Sequence, residues 1–199
     1  MEASLVFPIL ILVLMATLEL GMLFKDYLAI SALSRDGARI GALAGDDPEA
    51  DCAIVLGIEA LATGGLIERI DPVEIYRANV NGSVAVGGGP NFAQWVGGGP
   101  PRCTVPADPV NDTWVLAPPT WIPQPCLPPW LLPQVSCRQT SVGTTTVSGV
   151  TYSVTPDIIG VRVQMTHNWI TGFPPFRGSV QIDERTITRL EPKAFISGG

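Results

Sequence analysis

The chain has 199 residues, a formal net charge of −6 and only 15% charged residues. Its mean hydropathy of +0.31 is too high for disorder driven by charge excess. With 12 basic against 18 acidic residues there is no basic surplus, so a nucleic-acid-binding protein is not expected. The 21 glycines and 19 prolines predict long stretches without regular structure.

The apolar residues are concentrated at the N-terminus, where the sequence predicts a membrane-spanning helix. Residues 3–18 contain no charged side chain, and after Glu19 the apolar run resumes through Phe24. A helix of about 22 residues rises about 33 Å, which matches a hydrocarbon core of about 30 Å. The alternatives are a cleaved signal peptide, which would need a basic segment and a small-residue cleavage site, and a buried helix of a soluble protein.

Glu19 and Pro8 are the two unusual members of this predicted helix. A carboxylate near the membrane interior costs about 2.5–3.5 kcal/mol on insertion scales. We therefore expect Glu19 to be protonated, to reach the interface or to find a partner. Pro8 lacks the N–H that would bond back to Ser4, which predicts a mild kink or a frayed first turn.

The helical pattern continues beyond the predicted span, through Ala44. Gly37, Gly41 and Gly45 recur at a four-residue spacing, which places them on one face of a helix. Another helix backbone can approach closely at such a face, and tight packing there would offset the roughly 1 kcal/mol that a glycine costs a helix. A rod from Ala3 to Ala44 would be about 63 Å long. We interpret it as a helix that packs against copies of itself, in which Gly41→Leu would abolish assembly.

The rest of the chain predicts a second helix followed by a small antiparallel sheet, so the fold class is α+β. Asp47 as the N-cap and Pro48 at the first helical position predict the start of the second helix. Gly64-Gly65 predicts its end. We place the boundary between the N-terminal helix, residues 1–45, and the head domain, residues 46–199.

The strands of the head are predicted from alternation of apolar and polar residues. Residues 73–86 predict two short strands around an Asn81-Gly82 turn. Residues 150–155, 159–166 and 178–190 predict three more, with Val161, Val163 and Met165 on one face.

A segment rich in proline, glycine and tryptophan interrupts the predicted head at about residues 86–149. Residues 80–150 contain 12 of the 19 prolines, and the sequence VGGGP occurs twice. No Lys-Ser/Thr follows the glycines, so a phosphate-binding loop is not expected, and we predict a long ordered or semi-ordered loop insertion. Its tryptophans form either an exposed adhesive surface or a layer that packs the loop onto the sheet or a neighbouring subunit. These residues are Trp95, Trp114, Trp121 and Trp130.

The four cysteines are Cys52, Cys103, Cys126 and Cys137. They include no C-x-x-C pair, and no second histidine accompanies them, so a zinc site is not expected. Their even number favours two disulfides, with all three pairings open. Disulfides need an oxidising compartment.

The sequence contains no recognisable catalytic constellation. The single histidine, His167, lies in a predicted strand, where a structural role is the simpler interpretation. Asp183 and Glu184 are adjacent and point to opposite faces of a strand, so they are not a catalytic carboxylate pair. We expect neither enzymatic activity nor a cofactor.

The N-terminal segment contains a spaced set of residues typical of one protein family. The pattern is a Glu, an apolar run with a Pro, a second Glu close to a Gly, aromatic residues and an arginine-containing segment. The matching positions are Glu2, Pro8, Glu19, Gly21, Phe24, Tyr27 and Arg35-Asp36-Gly37-Ala38-Arg39. The segment resembles the TadE-like proteins, which are pilin-like subunits of Tad-type (type IVb-like) pili. The C-terminal VQIDERTITRLEP resembles the family's ending more weakly.

The resemblance implies a structural subunit that the inner membrane holds before it polymerises into an extracellular filament used in surface attachment. Its partners would be copies of itself or other pilin subunits, a prepilin peptidase and the pilus assembly machinery. Glu2 would compensate the N-terminal amine of a neighbour, and Glu19 would pair with Lys25 or Arg35 of another subunit. The family carries a short basic leader that is cut after a Gly, whereas Met1 directly precedes Glu2 here.

Two features of the sequence give opposite answers to the question on which side of the membrane the head lies. Lys25, Arg35 and Arg39 follow the span, and the positive-inside rule alone would place the head in the cytoplasm. Because these cations belong to the matched motif and the cysteines favour disulfides, we expect the head outside the cytoplasm. The alternative function is a membrane-anchored binding module whose Trp-rich loop captures a glycan or a peptide. Its helix would be a tether that tolerates scrambling of its apolar residues.

Overall fold

The computed structural model describes residues 2–86, 88–97, 102–104, 112–125, 137–140, 142–147, 150–172, 174 and 176–192. Met1, Cys126 and Trp130 lie outside the described residues, and only the backbone of Glu2 is described.

The described part of the chain contains two α-helices, a 3-10 helix and nine strands. The helices are α1 (Glu2–Ala44), α2 (Ala50–Leu61) and a short 3-10 helix (Ile67–Arg69). The strands are β1 (Val73–Ala78), β2 (Asn91–Trp95), β3 (Trp114–Leu116), β4 (Ile122–Pro125), β5 (Cys137–Arg138), β6 (Gly143–Val147), β7 (Val150–Val154), β8 (Ile158–Asn168) and β9 (Ser179–Arg189).

Five of the strands form one antiparallel sheet in the order β3-β2-β1-β8-β9. The longest pair is β8 with β9, in which Ile158 lies opposite Arg189 and Asn168 opposite Ser179. Strands β4 and β5 form a separate parallel pair, and β6 and β7 a separate hairpin. The α+β class predicted from the sequence is confirmed.

The predicted rod is present as one continuous helix that runs through Pro8. The C-terminal half of α1 packs against α2 and against β8 and β9. The predicted apolar face of β8 is buried in the core beneath these helices. The central core residues are Ile30, Leu33, Ile54, Ile58, Ile75, Val161, Val163 and Met165.

The second helix begins later and ends earlier than its sequence signals predict. The Asp47 side chain accepts a hydrogen bond from the backbone N–H of Glu49, which closes a turn ahead of the helix. Helix α2 therefore starts at Ala50, where the predicted start was Pro48. It ends at Leu61, and the predicted terminators Gly64 and Gly65 follow in a left-handed turn, with φ of 67° and 74°.

The predicted hairpin around Asn81-Gly82 is only half formed. Its first arm is β1, and Gly82 has the positive φ of 82° that the turn requires. The second arm is reduced to one bridge between Ala78 and Val84. The reason is local, because the N–H of Arg77 bonds to the carbonyl of Gly88 at 3.3 Å while the Arg77 carbonyl accepts the N–H of Ala85 at 2.8 Å, and this pattern departs from a regular hairpin ladder. Strand β2 then takes over the pairing with β1.

The described parts of the Pro- and Gly-rich segment contain strands that the sequence did not predict. Its strands β2 and β3 extend the main sheet, and a buried polar network holds a further part of it against the helices. Arg138, fully buried, pairs with Asp51 of α2 and stacks on the Trp121 ring at 4.4 Å. Asn91 donates to Asp51 at 2.9 Å and accepts the backbone N–H of Trp121 at 3.1 Å. A buried pair is stable only with such additional hydrogen bonds.

The glycine face of α1 is covered by the chain's own head. A Cβ at Gly41 would lie 2.6 Å from Cδ1 of Ile159 and 2.8 Å from Cδ1 of Ile54. One at Gly37 would lie 3.1 Å from Cδ1 of Ile58. Gly45, with φ of 61°, follows the last residue of the helix. The close approach that the glycines permit at 37 and 41 is therefore made by α2 and β8 of the same chain, and this corrects the expectation that they receive another copy.

Gly41→Leu is accordingly expected to destabilise the head, because its added atoms overpack the contact with Ile54 and Ile159. Overpacking of this kind costs about 1–3 kcal/mol. Gly21→Leu is the matched control, since it makes the same change in the same helix with no atom within 4 Å of the new Cβ. Thermal unfolding of the full chain in detergent measures both. Equal melting temperatures for the two variants would contradict the close packing of α1 against α2 and β8.

Candidate functional site

Helix α1 has two halves with opposite surroundings. Between Val6 and Leu20 its large apolar side chains are exposed, for example Phe7 at 67% and Leu10 at 60%. In the described part of the chain α1 is the one helix long and apolar enough to cross a membrane, by length and composition. An exposed apolar surface of this extent needs lipid or protein around it.

The head begins to contact α1 at Glu19. After the half-buried Leu23, buried positions recur every three or four residues from Asp26 onward, as a helix lying on a sheet requires. Those with side chains buried on this face are Glu19, Asp26, Ile30, Leu33, Ser34, Ala38 and Ala42. Ser34 and Thr186 of β9 hydrogen-bond through their hydroxyl groups at 2.8 Å. Near the other end of the contact, the N–H of Glu191 donates to the carbonyl of Ala42 at 3.0 Å.

Glu19 is bound by the chain that leaves β8. Its side chain is 1% exposed, and its carboxylate accepts the backbone N–H groups of Ile170, at 3.2 Å, and of Thr171. Of the alternatives expected for Glu19, the structure shows a partner, and this partner belongs to the same chain. Two backbone donors of the same chain replace the cationic partner that was expected from another subunit.

Two turns further along α1, Asp26 forms a second set of polar contacts with the head. Its carboxylate accepts hydrogen bonds from Nη1 and Nη2 of Arg69 at 2.6 and 3.0 Å. It also lies 2.7 Å from Nδ1 of His167, near the end of β8. The buried His167 is thus held as a structural residue between a carboxylate and the Trp169 ring, whose centroid is 5.1 Å away.

We call Glu19, Asp26, Arg69 and His167, with the backbone of 170–171, the helix–head junction. Sequence reasoning singled out Glu19 and missed Asp26 and Arg69. A usable signal existed, since Asp26 follows Glu19 by seven residues and so lies on the same helix face. The sequence near Glu19 could not indicate which segment binds it, because that segment lies about 150 residues further along the chain.

Several other motif residues of α1 face away from the core. Arg35 and Arg39 are exposed, and a Cβ at Gly21 would meet no atom within 4 Å. Phe24 and Leu28 are also exposed and extend the apolar surface of the N-terminal half toward these arginines.

The predicted cysteine and tryptophan sites fall partly within the described residues. Cys52 of α2 and Cys103 form a disulfide with a Cα–Cα distance of 5.4 Å, and Cys137 is also disulfide-bonded. Trp114 and Trp121 are fully buried, with their indole N–H groups bonded to Glu59 and to the Cys137 carbonyl. These two rings therefore pack inside the protein, which is one of the two alternatives given for the tryptophans, and they form no exposed adhesive surface.

The sheet face turned away from α1 carries a polar depression of about 400 Å³. Arg162 lies at its centre, bonded to Asp183 through Nε at 2.7 Å and to Glu74 through Nη1 at 3.1 Å. These hydrogen bonds lower the pKa of Asp183 and raise that of Arg162. The described residues contain no group of three side chains able to hold a metal ion.

The feature that points to a function is the sequence of helix α1. A family model described as TadE-like protein matches residues 1–39, which confirms the resemblance seen in the sequence. The match covers the exposed apolar half of α1 and most of its head-facing half, and it links this segment to proteins associated with Tad pili. No curated protein matches the chain, and no solved structure does.

Glu19→Ala is expected to release the chain at 170–171, because both backbone donors lose their acceptor. Hydrogen exchange of the full chain in detergent measures this, and the amides of Ile170 and Thr171 should exchange at least about tenfold faster. Exposed Glu49 of the turn before α2 provides the control, as Glu49→Ala. Unchanged exchange at 170–171 in the Glu19 variant would mean that the carboxylate does not hold this segment.

The Arg162 cluster predicts a loss of stability in acid. Because the pKa of Asp183 is lowered in the folded state, its contribution is complete above the ordinary value of 3.8. That contribution is lost as the pH falls from there through the lowered pKa. Arg162→Met should therefore show a smaller drop in melting temperature than the unmodified chain between about pH 5 and about pH 2. Exposed Arg39→Met serves as the control and should follow the unmodified chain.

Proposed function

We propose that this chain is a structural, non-catalytic pilin-like subunit of a Tad-type pilus. Its helix α1 is held in the inner membrane before assembly and packs against other subunits in an extracellular filament afterwards. The observation that carries the proposal is the division of α1 at Glu19. One half exposes a continuous run of apolar side chains, and the other forms the spine of a folded head. The family match over residues 1–39 supports it.

The exposed half fits both stages for one physical reason. Lipid and a bundle of similar helices are both apolar surroundings, so transfer between them keeps the same side chains away from water. The exposed surface continues past Glu19 through Phe24 and Leu28 to Arg35 and Arg39. This outer side of α1, opposite the covered glycines, is the surface we assign to neighbouring subunits. Prepilin peptidase and the assembly machinery are the further partners in this proposal.

The head is proposed to lie outside the cytoplasm in both stages. The Cys52–Cys103 disulfide closes a loop of 51 residues, which stabilises the head by about 4 kcal/mol in the chain-entropy description. Such a bond forms and persists in an oxidising compartment. The rival function, capture of a ligand by exposed tryptophans, has less support because Trp114 and Trp121 are part of the core.

Permuting the apolar residues between Val6 and Leu18, with Pro8 and the composition kept, tests assembly against simple tethering. Membrane insertion should persist, because hydropathy is unchanged, whereas shape-dependent helix packing is lost. We expect incorporation into sheared surface filaments to fall by at least about tenfold, with the carbonate-resistant membrane fraction unchanged.

Val80→Ser, on an exposed residue of the head, is the control and should be incorporated normally. Incorporation of the permuted chain at the level of the unmodified one would favour the tether and reject the filament role. If the permuted chain is also lost from the membrane fraction, the permutation acts on insertion. The variant Leu28→Asp, on the outer side of α1 and beyond the apolar run, then tests assembly: it should stay in the membrane fraction and fail to enter filaments.

A further inference from the structure

The chain between β8 and β9 exposes apolar and aromatic side chains at one end of the head. Ile170 is 67% exposed. Trp169 is half-buried against Phe176, with 5.0 Å between the ring centroids, and Arg177 is exposed beside them. We call residues 169–172 and 176–178 the junction loop.

The junction loop lies at the end of the head from which the N-terminal half of α1 emerges. From Glu19 to Ala42 the helix rises about 34 Å, and strand β8 has about the same length. The helix and the strand run side by side, with Ile170 bound at Glu19 and the Glu191 N–H bound at Ala42. The head thus lies along α1, with the junction loop at one end and residue 191 at the other.

The position of Glu19 sets the depth of this loop relative to a bilayer. The apolar run of α1 extends to Phe24, and Lys25 is the first cation after it. Glu19 precedes Phe24 by five residues, which corresponds to about 7 Å along the helix. Since Ile170 and Thr171 are bonded to Glu19, they lie about 7 Å inside the end of the apolar run. Amphipathic segments at a membrane interface bury their apolar side about 5–10 Å into the boundary between lipid headgroups and acyl chains, which is the same range of depth.

We propose that the junction loop inserts Trp169 and Ile170 into this boundary of the leaflet that α1 leaves. Tryptophan is enriched at this depth in membrane proteins because its ring is apolar and its N–H is polar. Arg177 is placed to contact lipid phosphate. The proposal rests on the membrane-held stage of the proposed function and not on filament assembly.

The Glu19 contact explains how this loop tolerates the interface. Backbone N–H groups without partners cost several kcal/mol each away from water. The Glu19 carboxylate accepts those of Ile170 and Thr171, and the same bonds supply Glu19 with the donors that a carboxylate needs at this depth. The loop and the helix therefore enter the interface as one hydrogen-bonded unit.

Quenching of tryptophan fluorescence by brominated acyl chains tests the insertion directly. The full chain is reconstituted into phosphatidylethanolamine and phosphatidylglycerol vesicles with and without brominated lipid. In a Trp169→Phe background, Ile170→Trp places a reporter in the loop. Val80→Trp places one at the other end of the sheet, on a residue that is 81% exposed and follows β1.

We expect brominated vesicles to lower the added emission of the Ile170 variant about twofold, and to leave that of the Val80 variant unchanged. The tryptophan emission of the unmodified chain, which retains Trp169, should be quenched more than that of the Trp169→Phe variant. Equal quenching of the two reporters, or none at position 170, would overturn the proposal. A dependence of the position-170 emission on the protein-to-lipid ratio would also overturn it, because that would show that the loop contacts a second copy of the chain. Loss of filament assembly alone would leave these results unaffected.

Discussion

The apolar surface of the first half of α1 cannot remain in water, and the rest of the structure is organised around that constraint. Fully removing one large apolar side chain from water contributes about 1.5–3 kcal/mol, and this half exposes such side chains from Val6 to Leu20. The second half cannot share the same surroundings, because it is the spine on which α2 and the sheet are packed. One continuous helix must therefore cross from an apolar medium into a folded aqueous domain.

The crossing is built from polar groups that are bonded to each other. Glu19 and Asp26 are the carboxylates of α1 on its head-facing side, and each accepts donors from the far end of β8 or from the short helix that carries Arg69. An unpaired charge at either position would be costly so close to an apolar medium. Their pairing joins the head to the helix near the end of the exposed apolar surface.

The sequence was sufficient for the elements whose pattern is local. The apolar run and the helix-forming residues after it predicted α1 to within a residue at each end, and alternation predicted β8 and β9. Strands β2 and β3 were missed because they are short and lie between prolines and glycines, where the pairing partner decides the structure. The start of α2 was misplaced because the Asp47 side chain closes a turn before the helix instead of capping it.

The candidate site could be predicted only in part, for a related reason. A row of glycines indicates that some backbone approaches closely, and it does not say whose. At Gly37 and Gly41 the approaching groups belong to the same chain. Glu19 was recognised as a residue in need of a partner, but the two backbone N–H groups that bind it carry no residue-type signature. Contacts between distant parts of the chain decide both cases.

The contacts of α1 with β8 and β9 also set an order of events during biogenesis. Glu19 with Thr171, and Ser34 with Thr186, each join positions 152 residues apart. The helix leaves the ribosome before the strands that cover it have been synthesised. Native docking of the head must wait until β8 and β9 have been synthesised, and contacts of such long sequence separation form slowly. Until then the buried face of the spine is open, so this stage is the one at which a holding chaperone would matter most.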